Sequence, residues 1–162
     1  MTEHVEQELE AHEAFEASTD GYRVKTTVFE ASVTVEEESG AENYIVTVEV
    51  PTLDSATTGE VGPTVATDWR ETFERRLEDA PKATRAAVEL DSVELTRSAE
   101  TLTVEFRFQW ETPATAVDIA KTFVEYVEGT YAEGLIPGYQ YEGPAAELLS
   151  NASQNGEGGT PL

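Results

Sequence analysis

His4, Glu8 and His12 succeed one another at four-residue intervals. On a helix they would share one side and offer two imidazoles and a carboxylate to a divalent metal. The same segment carries Glu3, Glu6, Glu10 and Glu13, and imidazoles in such company pair with carboxylates, so no metal site is expected. With 33 aspartates and glutamates in the chain, carboxylate pairs arise at every spacing by chance and single out no general acid or base. There is no cysteine, hence no thiolate nucleophile, zinc-thiolate site or disulfide frame. The run Gly156-Glu157-Gly158-Gly159 follows no strand and cannot be read as a phosphate cradle. Arg70, Arg75 and Arg76 are interleaved with Glu71, Glu74 and Glu78, which breaks the cationic stripe that nucleic-acid binding requires. No catalytic residue, cofactor or nucleic-acid partner is expected.

One stretch stands apart. Val124 to Tyr141 holds Tyr126, Tyr131, Tyr139 and Tyr141 with Gly129, Gly134 and Gly138 around a helix end. Aromatic side chains beside glycines can line a ligand or peptide pocket, which makes these four tyrosines the candidate binding residues. The competing reading is structural: Gly129 permits close helix contact, Gly134 caps, and the tyrosines cover the open end of the core with their hydroxyls in water.

The elements that must position these residues follow from periodicity. Leu102 to Trp110 alternates without a fault, placing Leu102, Val104, Phe106, Phe108 and Trp110 on a buried face and Thr103, Glu105, Arg107 and Gln109 in water. Tyr44, Val46, Val48 and Val50 alternate likewise and form a hairpin with Phe29, Ala31, Val33 and Val35. The phase slips at Val28-Phe29, so residues 22–37 make either one bulged strand or two. Val88, Leu90, Val93 and Leu95 suggest a further strand with a bulge near Asp91-Ser92. Helices are expected from Thr2 to Phe15, along Val65, Trp69, Phe73 and Leu77, where Asp68 and Glu71 form a capping box if the helix begins late, and from Pro113 behind a capping Thr112. The last buries Ala116, Ile119, Ala120, Phe123, Val127 and Tyr131, and Gly134 with Leu135 reads as a Schellman ending. A short helix over Pro144 to Ser150 precedes a Gly-rich tail over 151–162. The expected fold is a single α+β domain over residues 1–150, with an antiparallel sheet of about five strands, helices on one face, and the order α-β-β-β-α-β-β-α plus the short last helix.

Charge bounds the setting. Lys and Arg total 10 against 33 acidic residues, a net charge of −23 spread over the chain. Such self-repulsion is screened at about 1 M salt, where the Debye length is about 3 Å, so the composition reads as halophilic. The first residues lack the basic start and apolar run of a signal peptide, and no apolar stretch reaches membrane-spanning length; the expected place is the cytoplasm, away from any membrane.

Phe73-Glu74-Arg75-Arg76-Leu77-Glu78-Asp79-Ala80, Val50-Pro51-Thr52-Leu53-Asp54, Gly59-Glu60-Val61-Gly62-Pro63 and Val124 to Tyr141 resemble a haloarchaeal family known only as a domain of unknown function, over roughly residues 8 to 150. That resemblance implies cell type and domain extent and carries no site residue. The element order is similar to that of type III secretion chaperones, which implies a non-enzymatic protein-interaction module, with an unidentified protein or a second copy of the chain as partner. A small-ligand binder or enzyme using segment 124–141 is the alternative.

Overall fold

Strand β6 (Thr101–Gln109) buries Leu102, Val104, Phe106 and Phe108 and leaves the residues between them more accessible, as its alternation demands. It pairs antiparallel with β4 (Ala41–Pro51) on one side and β5 (Ser92–Ser98) on the other. The register sets Tyr44 against Phe108, Val46 against Phe106 and Val48 against Val104, which makes one continuous apolar face. The computed structural model describes the backbone of residues 2–18, 21–38 and 41–159, and side chains over 4–18, 21–37 and 42–151. Within these lie α1 (Thr2–Ala11), β1 (Phe15–Ser18), β2 (Gly21–Val24), β3 (Glu30–Glu38), α2 (Leu53–Ala56), α3 (Pro63–Leu77), a 3-10 turn (Ala80–Ala83), α4 (Pro113–Gly134) and α5 (Gly143–Gly159). The strands form one antiparallel sheet in the order β1-β2-β3-β4-β6-β5. This is the expected α+β domain.

Helix α4 covers the apolar face. Its stripe Ala116, Ile119, Ala120, Phe123, Val127 and Tyr131 is buried throughout, and the Phe123 ring meets Phe106 and Phe108 at centroid distances of 5.1 and 5.3 Å. α1 and α3 both pack on α4, burying Val5 and Leu9 from the first and Trp69, Phe73 and Leu77 from the second. A helix stripe three residues wide per two turns thus meets a strand face of period two, and the core is the space between.

The differences from the sequence-based expectation are local. The sheet has six strands because α1 stops at Ala11 and Phe15–Ser18 pairs with β2. The stop has a cause: the Ala14 N–H donates to Nδ1 of His12 at 3.1 Å, turning the chain out of the helix. Residues 22–37 form two strands, not one bulged strand, and the phase slip at Val28-Phe29 is their connection. Val88 and Leu90 alternate but belong to no strand, since the sheet is joined only from Ser92. The segment from Thr52 to Pro63, which shows no sequence period, contains α2, capped by Thr52, whose hydroxyl accepts the Ser55 N–H at 3.3 Å. α3 begins at Pro63 behind Gly62, so Asp68 and Glu71 sit inside the helix and form no capping box. Val65, assigned to the buried stripe, is 37% exposed. Thr112 holds the N-cap position, yet its side chain makes no capping bond. α5 runs to Gly159, beyond the expected end at Ser150. Thr19, Asp20, Ser39, Gly40 and the last three residues of the expected tail lie outside the described residues.

Candidate functional site

Three of the four candidate tyrosines are held by hydroxyl bonds to backbone groups. Tyr131 is fully buried, its ring edge-on to Phe29, Trp69 and Phe73, and its hydroxyl donates to the Pro51 carbonyl at 2.9 Å. Burial raises its pKa above the usual tyrosine value, with Tyr141 adding to the rise. Tyr126 donates to the Arg76 carbonyl at 2.7 Å and so ties α4 to the end of α3. The Tyr141 hydroxyl accepts the Ile136 N–H at 2.7 Å and donates to the Ile136 carbonyl at 3.0 Å, closing the 136–141 loop on itself. Burial raises its pKa, against the lowering effect of the Ile136 N–H. Tyr139 is partly exposed.

What segment 124–141 does contribute is one wall of a groove. Thr130, Glu133 and Gly134 of α4, with Ile136 beyond it, face Val65, Trp69 and Phe73 of α3 across a space of about 360 Å³, with Asp68, Thr72 and Arg76 at its edge. None of the four tyrosines borders it. Trp69 is 7% exposed and stacks on Phe73 at 5.3 Å, and its indole Nε1 has no hydrogen-bond partner among the described residues. A buried N–H left unpaired costs about 1–3 kcal/mol. The donor points toward α4: a Cβ built on Gly134 would stand 3.3 Å from Nε1.

That contact gives Gly134 its role. Leu135, which follows it, is extended at φ −67, and its N–H returns to the Ala132 carbonyl, so the helix does not end in a Schellman motif. Glycine is present here because a side chain would press on the indole. Gly129 needs no such account, since a Cβ there would meet nothing within 4 Å.

The imidazole constellation resolves into structure. His12 accepts the Ala14 N–H at Nδ1, which places its proton on Nε2, and Nε2 donates to Asp118 on α4 at 3.0 Å. Its ring also meets Phe15 edge-on at 5.1 Å, so His12 joins α1 to β1 and α4. Among the described residues no group of three or more His, Asp or Glu side chains is arranged to hold a metal ion. Glu128 on α4 is half-buried and accepts the Phe29 N–H at 2.7 Å. Burial raises its pKa, only partly offset by hydrogen bonds from Phe29 and Val28.

Sequence reasoning missed Trp69 as a site residue because the groove joins residues from two helices far apart in the chain. The only signal was a tryptophan at a position where a plain apolar residue would fill the stripe. Among the described residues, no helix is long and apolar enough to cross a membrane. Neither a curated protein nor a solved structure matches the chain. A family model does, over residues 10–151, and the chain belongs to that family of unknown function, DUF5813.

Proposed function

We propose that the chain is a non-enzymatic binding module whose α3–α4 groove takes an apolar side chain of a protein partner. The observation that carries this reading is the apolar wall made by Trp69, Phe73 and Ile136 with the exposed Val65 at its open side. Asp68 and Glu133 outnumber Arg76 around the groove, which disfavours an anionic partner. Tyr126 and Tyr141 then act by positioning, bracing α3 on α4 and folding the 136–141 loop beside the groove. The setting that fits the acidic composition is the cytoplasm of a salt-accumulating archaeon, with a second copy of the chain as one candidate partner.

A second reading, a small apolar ligand in the same groove, is favoured by its volume, which falls in the range of small-molecule sites. Affinity capture in high salt from haloarchaeal extract separates the two when wild type is run beside Trp69→Phe and Gly134→Ala. The first variant shortens the aromatic wall of the groove, and the second crowds it. A partner recovered by the wild type and lost by both variants is the expected result. A protein retained by both would overturn the groove reading, and a metabolite retained by the wild type alone would replace the first reading by the second.

A further inference from the structure

In a chain with 33 carboxylates and 10 basic side chains, each cation has ample choice of partner. Arg23 is bound by Glu16 and Glu30, Arg107 by Glu105, Lys82 by Asp79 and Lys121 by Glu125. The other six cations have no ion pair among the described residues, and two of them, Arg70 and Arg97, line one small cleft. Arg70 stands next to Trp69 on α3 and is half-buried. Arg97 lies on β5 in register with Leu102, on the helix-facing row that Val93 and Leu95 occupy before it. Arg97 is exposed and Arg70 only half-buried, so an incoming anion would be held by paired guanidinium hydrogen bonds and charge.

The cleft is small and its walls are held. Its volume is about 50 Å³, room for about four waters or one small oxyanion. Thr52 and Asp54 form the α2 side. The Thr52 N–H and the Ser55 hydroxyl both donate to the Glu100 carbonyl, each at 2.9 Å, which locks α2 onto the β5–β6 turn. That turn contains Ala99 at φ 53, a left-handed conformation that favours glycine, so the two hydrogen bonds also hold a strained residue in place. The charges of Arg70, Arg97 and Asp54 sum to one positive, which matches a monoanion better than a dianion. Guanidinium groups present paired N–H donors that suit the two oxygens of a carboxylate.

We propose that this cleft binds a singly charged carboxylate between Arg70 and Arg97, at a site that shares only Trp69 with the α3–α4 groove. The same chemistry is offered by a free organic acid and by the terminal carboxyl of a polypeptide. The test is a heteronuclear NMR titration of the full chain in a fixed potassium chloride background. The probes are acetate, an acetylated tripeptide with a free C-terminus, the same tripeptide as its amide, and inorganic phosphate. Saturable shifts centred on Thr52, Asp54, Arg70 and Arg97 are expected with the carboxylates and not with the amide. Arg70→Gln and Arg97→Gln should each weaken binding about ten- to a hundredfold. Arg97→Lys, which keeps the charge and loses the paired donors, should fall between, and Arg85→Gln, outside the cleft, should leave the affinity unchanged. Tighter binding of the tripeptide acid than of acetate identifies a polypeptide end, and equal binding identifies a free acid. No saturable response, equal binding of acid and amide, a preference for phosphate, or affinities indifferent to both glutamine variants would each overturn the proposal. Unchanged urea midpoints in the variants confirm that a lost response is not lost folding.

Discussion

The two faces of the sheet are built from the same strands and do opposite work. On the inner face Tyr44, Val46, Val48, Val104, Phe106 and Phe108 are fully buried under α4 and its neighbours. On the outer face the same strands present Ser32, Thr34, Thr47, Thr103, Glu105 and Arg107, and carboxylates stand directly opposite one another at Glu30 and Glu49 and at Glu94 and Glu105. Like charges in directly opposed positions are destabilising. Arg23 bridges to Glu30 and Arg107 to Glu105, so each pair is only partly neutralised. Even on this face Ile45 is 7% exposed, set between Thr34 and Arg107, whose stem can cover it. The difference shows that the inner face supplies cohesion and the outer face makes that cohesion depend on the solvent.

The contrast breaks first at Phe106. Phe106→Ala removes a ring packed on Phe123 and should cost about 3–5 kcal/mol, whereas Thr103→Ala on the outer face should cost well under about 1 kcal/mol. Urea midpoints measured at equal salt check both, and equal values would mean that the two faces do not differ in cohesion. Salt sharpens the comparison next. Removing it should lower the wild-type midpoint, and adding it should raise the midpoint up to about 1 M, where screening is nearly complete. A midpoint unchanged across a potassium chloride series would show that the acidic surface carries no repulsive strain. Glu49→Gln tests the same idea at one position: it should stabilise at low salt by roughly 0.2–1 kcal/mol and lose that advantage at high salt.

The smallest effect is expected at Glu128. Its folded-state pKa is raised, so the folded protein holds this proton more tightly than the unfolded chain does. Stability from this group is therefore present below the ordinary glutamate value of 4.5 and is lost as pH rises through the raised value. Glu128→Gln keeps an acceptor for the Phe29 N–H and removes the titration. It should match or exceed wild type at neutral pH, with the difference closing below pH 4.5. A variant clearly less stable than wild type at neutral pH would mean that the negative charge itself holds the 25–29 connection.

Much of this architecture was written in periodicity. The alternation of β4 and β6 and the stripe of α4 are side-chain patterns that repeat locally, and each admits one burial pattern once an apolar face is required. Chemistry was less legible. The tyrosines were conspicuous by type, yet three of them bond to backbone groups, at Pro51, Arg76 and Ile136, for reasons of packing. Trp69 looked like one more stripe residue, and its unpaired N–H lies against Gly134 of a helix distant in the chain.

The sequence by itself determined the α+β class, the inner face of the main strands, the buried stripe of the last long helix and the net charge, because these are local periods and sums. Tertiary structure alone decided that Phe15–Ser18 would be a strand, since four residues have no stability as a strand until β2 offers its edge. It also decided that Val88 and Leu90 would stay outside the sheet, that Val65 would face the solvent, and that Arg70 and Arg97 would meet in one cleft. Each of these depends on which distant segment arrives alongside, and a local pattern carries no information about that arrival.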